Sequence, residues 1–191
     1  MNLFFNILNK KNSKKRILFA GVNPTNFIQF RPVYEILKTD QRIEILFSGM
    51  YQGKDRPDGL WRQFGIESKY IIREKVAKRR DFDIYISPDH HLVGRRHATS
   101  IQMFHTTSFR NFSIDKRTRD FQHLFLHGPY MRRRFLETGI YHAEEIGRFE
   151  EVGMPQTDAL LDQTDSGLTQ QLNLNSDLPT VLYAPVWLPL E

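Results

Sequence analysis

Short apolar runs alternate with amphipathic stretches along most of this chain, and the two patterns predict strands and helices in turn. The first run, residues 16–22, precedes turn residues and a stretch, 27–38, whose apolar side chains recur at helical spacing. This predicts a first strand–turn–helix unit. A short helix is predicted at 60–64. Further strands are predicted, in chain order, at residues 42–47, 69–72, 83–87, 101–104, 124–126 and 149–152.

Strands separated by helical patterns predict an α/β fold, a Rossmann-like parallel sheet with helices on both faces. In such a sheet, ligands gather at the carboxyl ends of the strands. Three consecutive predicted strands carry distinctive residues there: His105 after the first, His127 and Gly128 after the second, and the turn at Gly153 and Pro155 after the third. We therefore expect these segments to form one side of an active-site cleft.

The pattern also divides the chain into parts. Residues 1–15 form an apolar and basic leader, residues 16–163 a Rossmann-like domain, and residues 164–179 a polar linker. Residues 180–191 begin with a strongly strand-like run that has no helix after it to cover its faces. We expect this run to be the first strand of a truncated second domain.

Composition narrows the class of protein. The chain has 191 residues, of which 40% are hydrophobic, so a folded globular protein is expected. It has no cysteine, which excludes disulfides, thiol nucleophiles and cysteine-based zinc sites. The net charge of +5 is clustered in basic segments, which favour phosphate-bearing ligands, nucleic acid or an anionic membrane surface. The charge alone does not choose among these three.

The leader leaves two interpretations open. Its apolar part is followed by lysines, the reverse of a secretory signal, and no window offers the roughly 20 apolar residues of a membrane-spanning helix. It is either a frayed end before the first strand or a weak interfacial anchor whose lysines contact anionic lipid.

Four segments resemble, in this order, motifs of the CDP-glycerol:poly(glycerophosphate) glycerophosphotransferase family. They read FHTTSFRN, LHG before a basic helix, VGMPQTDALL and LYAPVW, and the resemblance covers roughly residues 83–187. Enzymes of this family are similar in architecture to two-domain GT-B glycosyltransferases and UDP-N-acetylglucosamine 2-epimerases. The resemblance implies that the Rossmann-like part is the amino-terminal, acceptor-side domain of a GT-B-type fold.

The resemblance also implies roles for individual residues. His105 matches the histidine of the family's aromatic-His-Gly-Thr segment, which is thought to act in catalysis. Thr106 stands where the family has glycine, and its side chain would restrict close backbone approach to a phosphate. Gly153, Pro155 and Asp158 match the family's Gly-x-Pro-x-x-Asp turn, so a structural role is expected for them.

The residues around His105 suit phosphate chemistry, although each also has a structural interpretation. His105 is expected to act as general base on an acceptor hydroxyl, or else to cap its strand. Thr106, Thr107 and Ser108 offer hydroxyls to phosphate or glycan oxygens, or else act as turn and cap residues. Arg110 offers a guanidinium fork to phosphate, or else is a solvated surface charge.

His127 and Gly128 are expected to bind an anion through backbone N–H groups at the start of a helix. The arginines at 132–134 lie early in that helix, where cations oppose its dipole. Either an anionic acceptor or solvent screening would relieve this opposition.

No metal or cofactor is predicted. Asp89, His90, His91 and His97 match no tight ligand spacing. Gly21 stands alone without a GxGxxG pattern, so a dinucleotide fingerprint is not supported.

The leading hypothesis is therefore the amino-terminal portion of an enzyme that transfers a polyol phosphate from a CDP-linked donor to a glycan or polymer hydroxyl. Most of the donor site would lie in the missing domain, so the fragment alone is expected to be inactive. One alternative is a GT-B glycosyltransferase or a 2-epimerase-like enzyme acting on another nucleotide-activated donor. Another is a non-catalytic basic module; nucleic acid is not expected as a partner because no recognised motif is present. A cytoplasmic location is expected, with a peripheral position on the inner membrane face left open.

Overall fold

The computed structural model describes residues 14–90, 97–105, 115–158, 167–175, 177–181 and 183. The chain divides into two compact units, Met1–Asp158 and Ala159–Glu191. The predicted leader, apart from its last two residues, lies outside the described residues, as do residues 106–114.

The first unit is built on a six-stranded sheet in which every neighbouring pair is parallel. The strand order is β2-β1-β3-β4-β5-β6. Because β2 and β3 lie on opposite sides of β1, the direction in which the sheet grows reverses between β1 and β3. In open α/β sheets, this reversal creates a crevice at the carboxyl edge. The strands are β1 (Lys15–Gly21), β2 (Ile43–Gly49), β3 (Phe82–Ser87), β4 (His97–Met103), β5 (His123–Leu126) and β6 (Phe149–Glu151).

Parallel strands need crossover connections, and several of those described here contain α-helices. The α-helices of the described residues are α1 (Thr25–Leu37), α2 (Asp58–Trp61), α3 (Glu74–Ala77), α4 (Pro129–Glu137) and α5 (Leu168–Gln171). Short 3₁₀ turns lie at Arg62–Phe64, Ser68–Tyr70, Lys116–Asp120, Ala143–Arg148 and Pro155–Thr157. None of the helices in the part of the chain that the structure describes is long and apolar enough to cross a membrane.

Both faces of the sheet are covered, which explains the continuous apolar run of β1. Ile17 and Phe19 pack in a cluster with Phe30 of α1, whereas Leu18 packs in a second cluster with Ala77 of α3. Alternate side chains of one strand point to opposite faces, so both sets are buried only when helices lie on both sides. The predicted Rossmann-like α/β fold is confirmed.

The strand predicted at 69–72 is wrong. Ser68–Tyr70 is a 3₁₀ turn, and Ile71 forms only an isolated bridge to Phe47 of the edge strand β2. The run ends because α3 begins at Glu74, whose backbone N–H donates to Oδ1 of Asp55 at 2.7 Å. Two apolar residues between a 3₁₀ turn and a capped helix are too few for a strand.

The second unit leaves the predicted domain boundaries as predictions. Val181 and Tyr183 lie in the segment where a new strand is predicted, and they are 87% and 85% exposed outside any strand. Residues 184–191, which make up most of that segment, lie outside the described residues.

Candidate functional site

The carboxyl ends of β3, β4 and β5 bring together a carboxylate and two histidines. Asp89 follows β3 by two residues, His105 follows β4 by two residues, and His127 comes directly after β5. Because these strands are neighbours and parallel, their carboxyl ends lie along one edge of the sheet. Because β4 lies between β3 and β5, His105 lies between the segments that carry Asp89 and His127, and the cleft predicted there stays a prediction.

The ring of His105 is held in one tautomer. Its Nδ1 atom lies 2.9 Å from the carbonyl oxygen of Pro88, and because a carbonyl only accepts, Nδ1 carries the proton and donates it. Oδ1 of Asp89 lies 3.4 Å from the same nitrogen. The side chain of His105 is 32% exposed. In the neutral ring, Nε2 is therefore left unprotonated and can accept a proton from a bound group.

Asp89 also belongs to this candidate site, although its place in the sequence suggests only a metal ligand. The buried Ser87 fixes its turn: the Ser87 hydroxyl donates to the Asp89 carbonyl at 3.1 Å and accepts from the Asp89 N–H at 3.3 Å. Oδ2 of Asp89 is buried and has no hydrogen-bond partner within the described part of the chain. A carboxylate placed this way would stabilise an imidazolium at His105 if the ring accepted a proton. The signal that the sequence offers is a carboxylate two residues after a predicted strand.

His127 contacts the backbone of the His105 segment rather than open solvent. Its Nε2 donates to the carbonyl oxygen of Phe104 at 3.0 Å, and its Nδ1 is buried without a partner among the described residues. Burial lowers the pKa of His127 below its ordinary value, against the raising effect of the bond to Phe104; the neighbouring His105 lowers it further. The ring is therefore neutral at neutral pH.

The start of α4 leaves room for a ligand, but its arginines already have partners. A Cβ added at Gly128 would meet no atom within 4 Å. Carboxylates of the protein offset the unfavourable interaction between these cations and the helix dipole. The sequence suggested either an anionic acceptor or solvent screening for this purpose, and the structure adds these carboxylates as a third possibility. The ion pairs are Arg132–Glu151 at 2.7 Å, Arg133–Glu137 at 3.6 Å and Arg134–Glu137 at 2.7 Å.

The turn after β1 has satisfied its own backbone. Oδ1 of Asn26 accepts from the N–H groups of Val22 and Asn23 at 2.8 and 3.0 Å. In dinucleotide-binding Rossmann folds, this turn offers its N–H groups to a phosphate. Here Asn26 occupies two of them, in agreement with the missing glycine pattern.

The remaining predicted residues divide into two sets. Gly153 has φ of +79°, a left-handed conformation that glycine adopts without strain, and Pro155 begins a 3₁₀ turn after which Asp158 has helical backbone angles. This turn contacts α1. The roles of the other set stay predictions, because these residues lie outside the described ones: Thr106, Thr107, Ser108 and Arg110.

The histidines considered for a metal do not converge in the described part of the chain. Nδ1 of His90 lies 3.1 Å from the side-chain nitrogen of the buried Gln102, which donates to it, whereas Asp89 faces His105. His91 and the side chain of His97 lie outside the described residues. Among the residues described, no group of three acidic, histidine or cysteine side chains is placed to hold a metal ion.

Together, the fold and the site define a Rossmann-like α/β domain with a histidine, bonded to a backbone carbonyl and near a carboxylate, at the carboxyl edge of its sheet. No protein-family model and no curated protein matches the chain. The chain is similar in structure to S. aureus MnaA, solved in complex with UDP, with a TM-score of 0.52 and 12% sequence identity. The match covers 83% of this chain and 51% of that chain, so this chain spans about half the length of its neighbour. At this identity, the likeness shows the fold alone.

Proposed function

We propose that this chain is the acceptor-side, amino-terminal domain of a GT-B-like enzyme that transfers a polyol phosphate from a CDP-linked donor to a glycan or polymer hydroxyl. The observation that carries the proposal is the fixed tautomer of His105, whose Nδ1–H donates to the Pro88 carbonyl beside Asp89. This arrangement leaves Nε2 as a proton acceptor at the edge of the sheet where ligands of such folds bind.

The proposed reaction is a single displacement at phosphorus. Nε2 of His105 takes the proton of the acceptor hydroxyl as the hydroxyl oxygen forms a bond to the phosphorus of the polyol phosphate. The bond from that phosphorus to the CMP oxygen breaks, and CMP leaves with the electron pair. The carboxylate of Asp89 stabilises the imidazolium, which then releases its proton to solvent.

Two lines of support bear on the donor. The order of the His105, His127 and Gly153 segments resembles the CDP-glycerol family, which favours a CDP-linked polyol phosphate. The likeness to MnaA, whose solved structure contains UDP, favours a second candidate: a glycosyltransferase or 2-epimerase-like enzyme acting on a UDP-linked sugar. A nucleotide-linked donor is common to both candidates.

The test is a donor panel on the complete protein encoded around this chain. CDP-glycerol and UDP-N-acetylglucosamine are each incubated with a lipid-linked polymer acceptor, and release of CMP or UDP and conversion of the sugar are measured. We expect turnover of CDP-glycerol alone. Turnover of the UDP-sugar alone would establish the second candidate, and turnover of neither donor would contradict both.

A matched pair of variants tests the role of His105. His105→Gln is expected to lower kcat by about 100-fold or more, because it removes the general base. His123→Gln is the control, since His123 lies at the opposite end of β5 from His127 and pairs with Ile101 in the sheet. Equal activity of both variants would show that His105 is not the base.

A peripheral place on the inner face of the membrane belongs to the same proposal. Its support is the leader, residues 1–15, in which lysines follow an apolar segment. We expect the protein to float with anionic vesicles. Flotation should be lost when the leader is deleted, and it should be absent with neutral vesicles. Failure to float with anionic vesicles would contradict it.

A further inference from the structure

The two peptide groups that flank the Cα atom of His105 are each held by a side chain from a different element. Nε2 of Gln29, on α1, donates to the carbonyl oxygen of His105 at 3.0 Å. Nε2 of His127, after β5, donates to the carbonyl oxygen of Phe104 at 3.0 Å. The backbone of His105 is therefore bonded on both sides.

These hydrogen bonds lie just beyond the last strand pairs of β4. The pairing of β4 ends with Ser87 opposite Gln102 on one side and Met103 opposite Phe125 on the other. Phe104 and His105 follow, so their carbonyl groups lie beyond the pairing of the strands. The buried ring of Phe104 packs against Phe135, but the hydrogen bonds that reach the two carbonyl groups from Gln29 and His127 come from side chains.

Gln29 is an unusual residue for its place in the fold. It lies between Phe27 and Phe30 on the buried face of α1 and is only 7% exposed. Burying an amide costs free energy unless it is hydrogen-bonded. The hydrogen bond goes to His105, 76 residues away in the chain, so it serves the strand end rather than the helix itself.

His127 is placed in a comparable way. Its Nε2–H meets the Phe104 carbonyl, while its Nδ1 is buried without a partner within the described residues. A side chain that binds substrate would direct a polar atom toward open space. Among the described residues, the hydrogen bond of the ring is directed at the backbone beside His105.

We propose that Gln29 and His127 are positioning residues that clamp the peptide groups on both sides of His105 and so keep its Nδ1–H directed at the Pro88 carbonyl. The catalytic consequence rests on the proposed function, but the clamp itself does not. The proposal gives His127 a role different from the substrate contact that its sequence position suggests.

The first measurement is independent of activity: the tautomer of His105, read from the ¹⁵N chemical shifts of its ring. Wild-type protein is expected to show the Nδ1–H tautomer. Gln29→Met keeps the length of the side chain and removes the donor, and His127→Leu removes the donor on the other side. Each variant is expected to give a mixture of tautomers. Gln63→Met, the same change on a residue whose amide serves only Gly59 and Leu60, is the control.

A conservative variant separates positioning from chemistry at His127. The side-chain nitrogen of glutamine reaches about as far as Nε2 of histidine, so His127→Gln retains a donor for the Phe104 carbonyl while losing the titratable ring. His127→Gln is expected to restore the Nδ1–H tautomer that His127→Leu loses. The His127 pair decides the question by itself should Gln29→Met fail to fold.

The second measurement is kinetic, on the complete protein with its donor. Gln29→Met and His127→Leu are expected to lower kcat by about 10- to 100-fold with little change in KM, since a misplaced base slows the reaction without removing a substrate contact. Two results would overturn the proposal: an unchanged tautomer of His105 in both variants, or a His127→Gln variant as impaired as His127→Leu. If the wild-type protein turns over no donor, the tautomer measurement still decides the clamp, and the failure belongs to the proposed function.

Discussion

Oδ1 of Asp89 lies 3.4 Å from Nδ1 of His105, the nitrogen whose proton the Pro88 carbonyl accepts. The carboxylate is 17% exposed, and the turn that carries it is fixed by the buried Ser87. A charge in this position matters little while the ring is neutral. It matters once the ring gains a proton, because the imidazolium and the carboxylate then attract each other in a poorly solvated site.

Asp89→Asn is therefore expected to lower kcat by about 10- to 100-fold, because the amide keeps the shape of the side chain but cannot stabilise the imidazolium. The fold should tolerate the change, so circular dichroism and the melting temperature serve as checks. Asp177→Asn, the same change at an exposed position in the second unit, is the control. A kcat equal to that of the wild type would show that Asp89 does not act with His105.

The sequence predicts the parts of this site that depend on local pattern. The apolar run before His105 and the one before His127 identify two strand ends, because four to eight buried residues in an α/β chain read as a strand. The parallel order of these strands then implies that both histidines lie along one edge. The continuous apolar run of β1 likewise predicts a strand that is buried on both faces, since a sheet covered on both sides needs apolar residues on each face.

The contacts that orient His105 are not predictable in this way. Gln29 reaches it from 76 residues away, and nothing in an amphipathic helix pattern distinguishes a buried glutamine that serves another segment. The pairing of Asp89 with His105 depends on β3 and β4 being neighbours, which is a property of strand order. Arg132 likewise meets Glu151 only because β5 and β6 are adjacent.

The stability of the protein is expected to fall when the pH is lowered from about 7 to 5. Burial lowers the pKa of His123 and of His127 from the ordinary value of 6.5, so in this range the unfolded chain binds protons that the folded chain does not. The free energy of unfolding therefore decreases as the pH falls, by at most about 1.4 kcal/mol per pH unit for each ring. Urea unfolding at several pH values measures it.

A double variant checks the origin of that slope. Replacing both rings, His123→Gln with His127→Gln, should flatten the dependence between about pH 7 and 5. The measurement stays above pH 5 so that two carboxylates do not contribute to the slope. Hydrogen bonds from Arg42 and Arg117 hold the pKa values of Asp40 and Asp115 to about 2, so these groups lose their stabilising charge only at lower pH. If the double variant kept the pH dependence of the wild type, groups other than these two histidines would cause it.

The ion pair between Arg132 and Glu151 should join α4 to the edge strand β6. Their side chains are 35% and 34% exposed, with Nε of the arginine 2.7 Å from the carboxylate, so solvent screens the pair only in part. We expect Arg132→Gln and Glu151→Gln each to lower the free energy of unfolding by about 0.5–1 kcal/mol. A double-mutant cycle should give a coupling of about the same size. Full additivity of the two changes would show that the pair contributes nothing.

Gly49 sets the closest approach of the two backbones at the carboxyl ends of β1 and β2. Its φ is +142°, and a Cβ built on it would lie 1.9 Å from the carbonyl oxygen of Gly21. That oxygen also accepts from the N–H of Met50 at 3.2 Å, so it has little freedom to move. Gly49→Ala is therefore expected to lower the free energy of unfolding by about 3 kcal/mol or more. Gly147→Ala, where the added methyl meets nothing within 4 Å, should change it by no more than about 0.5 kcal/mol. Urea unfolding measures both variants. Because β1 and β2 end at this contact, equal stability of the two variants would mean that the strand ends separate freely. This edge of the sheet would then not be the rigid support that the site requires.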